Sequence, residues 1–143
     1  MRAVIPTVLR QLLEPEATVR VGTLETRRDF TFVTDTAAGF TAAAVAELAP
    51  GDVVQLGTGS CHSVGEIVET AGRLLEVEPT VLTEEARLRP AASEVQVLLS
   101  DPSKAWELMR WRPTVALAEG LAETALWLEK YIDRYPDPDR YHR

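Results

Sequence analysis

The chain has 143 residues, 45% of them hydrophobic and 26% charged, a composition that suits one compact domain and argues against disorder or a fibrous repeat. Its formal net charge of −7 argues against sequence-independent nucleic-acid binding, which needs a basic surface. A single cysteine, Cys61, excludes an internal disulfide, and no run approaches the ~20 apolar residues of a membrane helix, so we expect a soluble, cytoplasmic protein without a metal site.

The first two predicted elements are a helix and a strand. Apolar residues recur at helical spacing over residues 4–13, and Pro6 stands where the first turn of a helix tolerates proline. Val19 and Val21 alternate with a polar residue, as in a short strand.

A strand, a helix and a second strand are predicted between residues 30 and 56. Residues 30–33 form a β-type run, and residues 35–48 follow a helical pattern. We expect this helix to bury one apolar stripe, made of Phe40, Ala44 and Leu48. Residues 53–56 are apolar and predict another strand.

A glycine-containing turn, residues 57–59, joins that strand to the next predicted helix. Ser63 and Glu66 have the spacing of a capping box, in which each side chain binds a backbone N–H of the other's turn. The helix that they open is expected to bury five apolar residues, which are Ile67, Val68, Ala71, Leu74 and Leu75.

The last third of the chain predicts a short strand at residues 79–82 and two further helices. A charged, irregular stretch at 83–93 precedes Asp101-Pro102, a helix start formed by a capping residue and a first-turn proline. That helix runs to about residue 109, and the final helix runs from about 117 to 131.

Two tryptophans near these helices, Trp111 and Trp127, are expected in the core. Strands and helices alternate, so the predicted class is α/β. We expect one domain over residues 1–131 and a frayed tail over residues 132–143.

Five separated segments resemble, in order, the motifs of one enzyme family. They are Val4-Ile5-Pro6, Arg28-Asp29-Phe30-Thr31-Phe32-Val33-Thr34-Asp35, Leu56-Gly57-Thr58-Gly59 with Ser63 and Glu66, Arg89-Pro90 followed by Ser100-Asp101-Pro102-Ser103-Lys104-Ala105, and Leu117-Ala118-Glu119-Gly120-Leu121 with Trp127. Over roughly residues 2–131 the chain resembles the C-terminal, nucleotide-sugar-binding part of the extended short-chain dehydrogenases/reductases, the NAD-dependent sugar-nucleotide epimerase/dehydratase family. The likeness is greatest to UDP-N-acetylglucosamine 4,6-dehydratases.

The resemblance implies a small mixed α/β domain of about five helices and short strands, without the Rossmann half. A complete family member oxidises the sugar at C4 with NAD, then eliminates water as a lyase or inverts a centre as an isomerase. Such chemistry needs a Gly-rich pyrophosphate turn and a Tyr-x-x-x-Lys pair. No tyrosine here has a lysine four residues later, and the sixth position of the motif that begins at Gly57 is His62 instead of Gly or Ala. We therefore expect no catalytic residue and no cofactor bound by this chain alone, with NAD belonging to the complete enzyme.

Two arginines are the strongest candidates for a binding site. A nucleoside diphosphate sugar carries adjacent phosphates, which the rigid, bidentate guanidinium of arginine recognises well. The resemblance places one such group at Arg28 and a second at Arg89, and we expect them to converge on one pyrophosphate. Arg27 and Arg87 are interpreted as solvated surface residues.

Four further residues are candidates for substrate contacts, each with a structural alternative. Asp29 either contacts ligand or fixes a turn and orients Arg28. Val21 either lines the pocket of a uracil-like base or belongs to the strand core. Pro6 either lies over the base or starts the first helix. Glu94 either contacts ribose or anchors Arg89.

Three functions therefore stay open. The chain is the substrate-binding part of a sugar-nucleotide dehydratase or epimerase, a noncatalytic module that binds a nucleotide or a partner chain, or an inert truncated fragment. Two protein partners are considered, a missing Rossmann half and a second copy of the chain. An isolated copy would expose the apolar surface that packs on the Rossmann half in the complete fold, and such a surface favours self-association.

Overall fold

The computed structural model describes residues 3–88 and 94–134, and these form a small α/β structure of five helices and short strands. The helices are α1 (Val4–Leu12), α2 (Val33–Val45), α3 (Val64–Leu75), α4 (Ser103–Met109) and α5 (Leu117–Lys130). The strands are β1 (Thr18–Val21), β2 (Arg27–Arg28), β3 (His62–Ser63), β4 (Thr80–Thr83) and β5 (Val97–Leu98). Within the described residues, none of the helices has the length and apolar content needed to cross a lipid bilayer.

Contacts divide the chain into two compact units. Unit 1 contains the described residues of 1–26, 63–96 and 118–143, and unit 2 contains residues 27–62 and 97–117. Unit 1 therefore holds α1, β1, α3, β4 and α5, whereas unit 2 holds β2, α2, β5 and α4. The chain passes from unit 2 into unit 1 within β3.

Unit 1 is organised by apolar burial. Strands β1 and β4 pair in parallel, in a register that runs from Thr18↔Thr80 to Val21↔Thr83. Strand β1 and the apolar faces of α1, α3 and α5 supply a core of side chains with at most 2% of their surface exposed, including Val8, Leu9, Val19, Ile67, Leu121 and Leu128. Removing this apolar surface from water is the main stabilising term of the unit.

The buried Gln11 shows how unit 1 satisfies polar groups in its core. Its side-chain Nε2 donates to the Thr7 carbonyl at 3.0 Å, and its Oε1 accepts from the Arg20 N–H at 2.8 Å. Because β1, within the described part of the chain, has a neighbouring strand on one side only, the sheet does not supply an acceptor for the Arg20 N–H, and the Gln11 amide does.

The predicted capping box of α3 is confirmed. The Ser63 side chain accepts from the Glu66 N–H at 3.1 Å, and the Glu66 carboxylate accepts from the Ser63 N–H at 2.9 Å. Both bonds satisfy donors that the first turn of a helix leaves without intrahelical partners. The beginning of α3 could therefore be predicted from the sequence.

Unit 2 is organised by polar contacts. Strand β2 pairs in parallel with β5, with Arg27 opposite Val97 and Arg28 opposite Leu98, and β3 extends this sheet to the order β3-β2-β5. Residue Asp35 on α2 is 4% exposed.

The carboxylate of Asp35 fixes α2 to residues 111–115. It accepts from the Thr114 N–H at 3.0 Å, the Thr114 hydroxyl at 2.9 Å and the Val115 N–H at 2.9 Å. The Asp35 carbonyl also accepts from the indole Nε1 of Trp111 at 3.0 Å. One aspartate thus joins α2 to residues 111–115 through four hydrogen bonds.

The two strands predicted at residues 30–33 and 53–56 are wrong. Phe32 caps α2 and the helix begins at Val33, so the chain turns into a helix where alternation predicted a strand. Residues 53–56 adopt no assigned strand, and among the described residues no backbone ladder bond reaches them. An apolar run becomes a strand only when a neighbouring strand accepts it.

The predicted buried stripe of α2 is also wrong. Phe40 is 68% exposed, and the buried positions of the helix are Asp35 and Gly39. A Cβ added to Gly39 would lie 2.7 Å from the Leu56 methyl groups. The helix therefore approaches the segment around residue 56 through Gly39. Its large apolar residue Phe40 stays exposed.

The core assignments of the two tryptophans have different outcomes. Trp111 is 5% exposed, which confirms the prediction, but Trp127 is 46% exposed and lies against Tyr131, with ring centroids 5.0 Å apart. On α5 the buried stripe consists of Gly120, Leu121, Ala125 and Leu128, and position 127 falls beside it. On α3 the stripe is also narrower than predicted, since Leu74 is 41% exposed.

Candidate functional site

Arg28 lies in the short strand β2 of unit 2. Its backbone is fixed by pairing with β5, and the following N–H, that of Asp29, donates to the Leu98 carbonyl at 3.0 Å. The side chain is half-buried, and its Nη1 donates to the Arg27 carbonyl at 2.9 Å. The guanidinium thus extends from a backbone that is hydrogen-bonded to β5.

The Asp29 carboxylate binds the glycine turn that follows residue 56. It accepts from the Thr58 N–H at 2.9 and 3.0 Å, from the Thr58 hydroxyl at 2.6 Å and from the Gly59 N–H at 2.9 Å. Both carboxylate oxygens are therefore engaged by protein donors. This geometry agrees with the turn-fixing alternative for Asp29.

Two glycines allow this turn to form. Gly59 has a φ of 73°, in the left-handed region that glycine adopts without strain. A Cβ at Gly57 would lie 2.2 Å from the Ser100 side chain and 2.8 Å from an Asp29 carboxylate oxygen. Any larger residue at position 57 would displace the carboxylate.

The same turn does not fit the pyrophosphate of a dinucleotide. A Gly-rich fingerprint binds phosphate because its backbone N–H groups point at the anion. Here the N–H groups of Thr58 and Gly59 already donate to Asp29, and a second anion would meet a carboxylate. The turn therefore has a structural role in unit 2.

Arg27 is not the solvated surface residue that the charge pattern indicated. It is half-buried, and its Nη2 donates to the Cys61 carbonyl at 2.9 Å. Cys61 also lies beside β5, where its Sγ is 3.3 Å from the Leu98 carbonyl oxygen. The roles of Arg27 and Thr58 were missed in the sequence. A signal for Thr58 was present, because a tight Gly-Thr-Gly turn leaves backbone N–H groups that need an acceptor, such as a carboxylate.

Arg87, in unit 1, is a second arginine with a structural role. Its side chain is 7% exposed, and its Nε donates to the Glu84 carboxylate at 2.6 Å. Glu84 also lies 3.8 Å from the Arg20 guanidinium. Interpreting Arg87 as a solvated residue was therefore wrong, because burial next to a carboxylate gives it a fixed partner.

The other candidate residues belong to unit 1, apart from one that the structure leaves undescribed. Pro6 is half-buried in the first turn of α1, Val21 is 5% exposed at the end of β1, and Glu94 is half-buried in a segment without regular structure. Arg89 lies outside the described residues. Burial of Val21 favours its strand-core alternative.

An open apolar groove of about 600 Å³ lies in unit 1 between α3 and β4. It is lined mainly by Leu24, Gly65, Val68, Gly72, Pro79 and Val81. None of the candidate substrate-binding residues that the structure describes contributes to it. Across residues 3–88 and 94–134, no three His, Cys, Asp or Glu side chains are grouped closely enough to hold a metal ion.

Comparison with known proteins gives one consistent result. Residues 1–124 match the family model described as GDP-mannose 4,6 dehydratase. A UDP-glucuronate 4-epimerase of Thermodesulfobacterium geofontis is 31% identical over 109 residues, which cover 74% of this chain and 31% of the epimerase.

Solved structures agree with this match. An epimerase from Methanothermobacter thermautotrophicus superposes with a TM-score of 0.80 at 29% identity, covering 94% of this chain and 39% of the epimerase. The protein MoeE5, solved with UDP-glucuronic acid and NAD, gives a TM-score of 0.75 at 26% identity, covering 90% of this chain and 42% of MoeE5. The chain thus spans about two fifths of the length of these structures.

Proposed function

The chain belongs to the GDP-mannose 4,6-dehydratase family of NAD-dependent sugar-nucleotide epimerases and dehydratases, and on that premise we propose that it binds a nucleoside diphosphate sugar. Its role is that of the substrate-binding part of such an enzyme. The relatives that it matches include an epimerase of UDP-glucuronate and a protein solved with a UDP-sugar.

The observation that carries this proposal is the setting of Arg28. A short strand with a fixed backbone presents its guanidinium in a chain whose net charge is −7. In so acidic a chain, an ordered arginine offers an anion a local site that the overall charge does not. We assign to Arg28 the binding of the diphosphate through paired N–H···O bonds.

The remaining candidates complete the proposed set. Arg89 supplies the second guanidinium to the diphosphate, and Asp29 holds the turn beside Arg28. Val21 and Pro6 are assigned to the base, and Glu94 to the ribose or to Arg89. These assignments rest on the family motifs that the residues occupy.

We propose uridine as the base. The motifs around Arg28 and Arg89 favour UDP-N-acetylglucosamine as the sugar nucleotide, whereas the relatives point to UDP-glucuronic acid. The two sugars differ at C2 and C6, away from the diphosphate. The two arginines can therefore bind the diphosphate of either sugar nucleotide. The sugar is identified by comparing the affinities of the chain for the two.

On its own the chain is proposed to bind without catalysing. It has no Tyr-x-x-x-Lys pair, and its glycine turn is bound by Asp29, so NAD belongs to the complete enzyme. We place the protein in the cytoplasm, where its acidic, disulfide-lacking composition fits.

Titration calorimetry tests the proposal. UDP-glucuronic acid and UDP-N-acetylglucosamine should each bind with a dissociation constant on the order of 0.1–1 mM, a weak affinity because few groups are engaged. Arg28→Ala and Arg89→Ala should each weaken binding about tenfold, since each removes charge-assisted hydrogen bonds. The double variant should show no measurable heat.

Arg73→Ala is the matched control, because Arg73 is an exposed arginine on α3 that donates a long hydrogen bond of 3.5 Å to the Thr70 hydroxyl. It should bind as the unaltered chain does. Equal binding by the unaltered chain and the Arg28→Ala, Arg89→Ala double variant would contradict the site assignment.

A second candidate function is capture of a partner chain. Unit 2 exposes Val33, Phe40 and Val45 on α2 and Val53 beyond it, by 69%, 68%, 82% and 77%. Large exposed apolar residues on one helix are typical of protein contact surfaces. Light scattering that gives a monomer at all concentrations, without binding of a hydrophobic dye, would count against self-association. A chain that neither binds UDP-sugars nor associates would be an inert fragment.

A further inference from the structure

The side chains on either side of Arg28 bind the same loop. Residues 57–61, here called the Gly57 loop, accept a bond from Arg27 at Cys61 and donate bonds to Asp29 from Thr58 and Gly59. Arg27 lies in β2 and Asp29 directly follows it, so the two side chains that bind the loop flank Arg28 in the sequence. The loop is therefore attached to β2 at both ends of the segment that carries Arg28.

We infer that the Gly57 loop is a positioning device for Arg28, with Thr58 as its central residue. This inference rests on the proposed function of Arg28 and deepens it. Thr58 supplies Asp29 with two donors, its N–H and its hydroxyl, and the hydroxyl contact of 2.6 Å is the shortest of the set. The same hydroxyl oxygen accepts from the Ser60 N–H at 3.1 Å, which joins the turn to the rest of the loop.

Geometry shows why this attachment affects Arg28. Strand β2 has two residues and lies between β3 and β5, which also have only two residues each. So short a ladder holds a backbone weakly by itself, because few hydrogen bonds offset the entropy of ordering it. The bonds of Arg27 and Asp29 add charge-assisted contacts on both sides of position 28, which fix the direction in which its side chain leaves the strand.

The expected consequence is indirect. Thr58 touches no diphosphate in this scheme, and it acts only by holding Asp29 and thereby β2. Removing its hydroxyl should leave the chain folded, since the backbone N–H bond to Asp29 remains. It should nevertheless widen the range of orientations that the Arg28 guanidinium samples, and part of the binding free energy would then be spent on ordering it.

Thr58→Val is the test variant, and Thr58→Ser is its control because serine keeps the hydroxyl. Thr58→Val should weaken UDP-glucuronic acid about fivefold to tenfold, as loss of a hydrogen bond to a charged group does. Thr58→Ser should bind within about twofold of the unaltered chain, since it keeps that bond. In an Arg28→Ala background, Thr58→Val should have almost no further effect, because a residue that acts through Arg28 has nothing left to position.

A second measurement does not depend on binding. The Nε–H group of Arg28, followed by heteronuclear NMR relaxation without ligand, should become more mobile in Thr58→Val and in Asp29→Asn. Arg73, on α3, serves as the internal reference and should not change. An equal loss of affinity in both Arg28 backgrounds, or unchanged mobility of the Arg28 side chain, would overturn the inference.

Failure of the inference is separable from failure of the proposed function. If Arg28→Ala binds the UDP-sugar as well as the unaltered chain, the assignment of Arg28 to the diphosphate is wrong. The relaxation measurement then still decides whether the Gly57 loop orders Arg28. If Arg28→Ala loses binding but Thr58→Val does not, the diphosphate assignment stands and the positioning role is wrong.

Discussion

The two units of this protein are stabilised in different ways. Of the fifteen buried hydrophobic residues among those described, all but Ala105 and Trp111 lie in unit 1. Unit 2 instead relies on aspartates, with Asp29 holding the Gly57 loop and Asp35 holding residues 111–115. Apolar burial makes a unit tolerant of small changes in geometry, whereas networks of directed hydrogen bonds specify one geometry and depend on each member.

The largest effect that separates the units should come from the apolar core of unit 1. Leu121→Ala should lower the free energy of unfolding by about 3 kcal/mol, because Leu121 is 1% exposed and its removal leaves a cavity. Urea denaturation followed by circular dichroism measures this change.

Leu126→Ala, on the same helix, is the control for this comparison. Leu126 is 61% exposed, so the variant should change stability by no more than about 0.5 kcal/mol. If the two variants proved equally stable, the account of unit 1 as a burial-driven unit would be wrong.

A smaller effect is expected from the polar anchor of unit 2. Asp35→Ala should cost about 2 kcal/mol, since it leaves the N–H groups of Thr114 and Val115 without their acceptor. Hydrogen exchange should show the loss of protection at residues 111–115 first, while α3 and α5 stay protected.

Glu47→Ala is the matched control for the carboxylate charge. Glu47 lies in the same unit and is exposed, and its replacement should leave exchange at residues 111–115 unchanged. If Asp35→Ala lost protection equally in both units, Asp35 would support the whole fold and not unit 2 alone.

The smallest effect should appear on acidification. Burial raises the pKa of Asp35, but the hydrogen bonds from Val115 and Thr114 outweigh burial and leave the pKa below its ordinary value. A carboxyl group with a depressed folded pKa stabilises the protein above its unfolded pKa, and this stabilisation is lost as the pH falls through the folded pKa. Unit 2 should therefore loosen below about pH 4.

The indole N–H resonance of Trp111 is a nearby reporter of this titration, because that group donates to the backbone carbonyl of Asp35. It should shift as the pH falls below about 4, whereas the indole of Trp127 in unit 1 should shift much less. In Asp35→Asn the titration should disappear. A Trp111 resonance that titrates equally in this variant would assign the effect to another group.

The same contrast explains what the sequence could and could not predict. The capping box of α3, strand β1 and helix α5 belong to unit 1, where apolar periodicity and cap spacing are local signals. The wrong strands at residues 30–33 and 53–56 and the wrong stripe at Phe40 belong to unit 2, whereas the errors in unit 1 concern single side chains, those of Leu74, Arg87 and Trp127. In unit 2, side chains far apart in sequence determine the structure, and local patterns do not show which donors a carboxylate will meet.

The candidate site was predictable to a similar extent. Arg28 and Asp29 could be singled out together because they stand in one family motif. The structure adds the partner of Asp29, since only the folded chain brings Thr58 next to a residue 29 positions away. Arg27 and Arg87 were misjudged for the same reason, because an arginine's environment depends on contacts that its neighbours in sequence do not determine.

The crowding around Gly57 has a consequence for anyone who engineers this protein. The α-hydrogen of Gly57 faces the Ser100 side chain, with no space for a methyl group. Libraries that randomise the loop should therefore keep position 57 as glycine, because replacing Ser100 by glycine would remove only one of the two clashes and leave the one with the Asp29 carboxylate. If position 57 were varied freely, nearly every member of such a library would lose the carboxylate-bound turn.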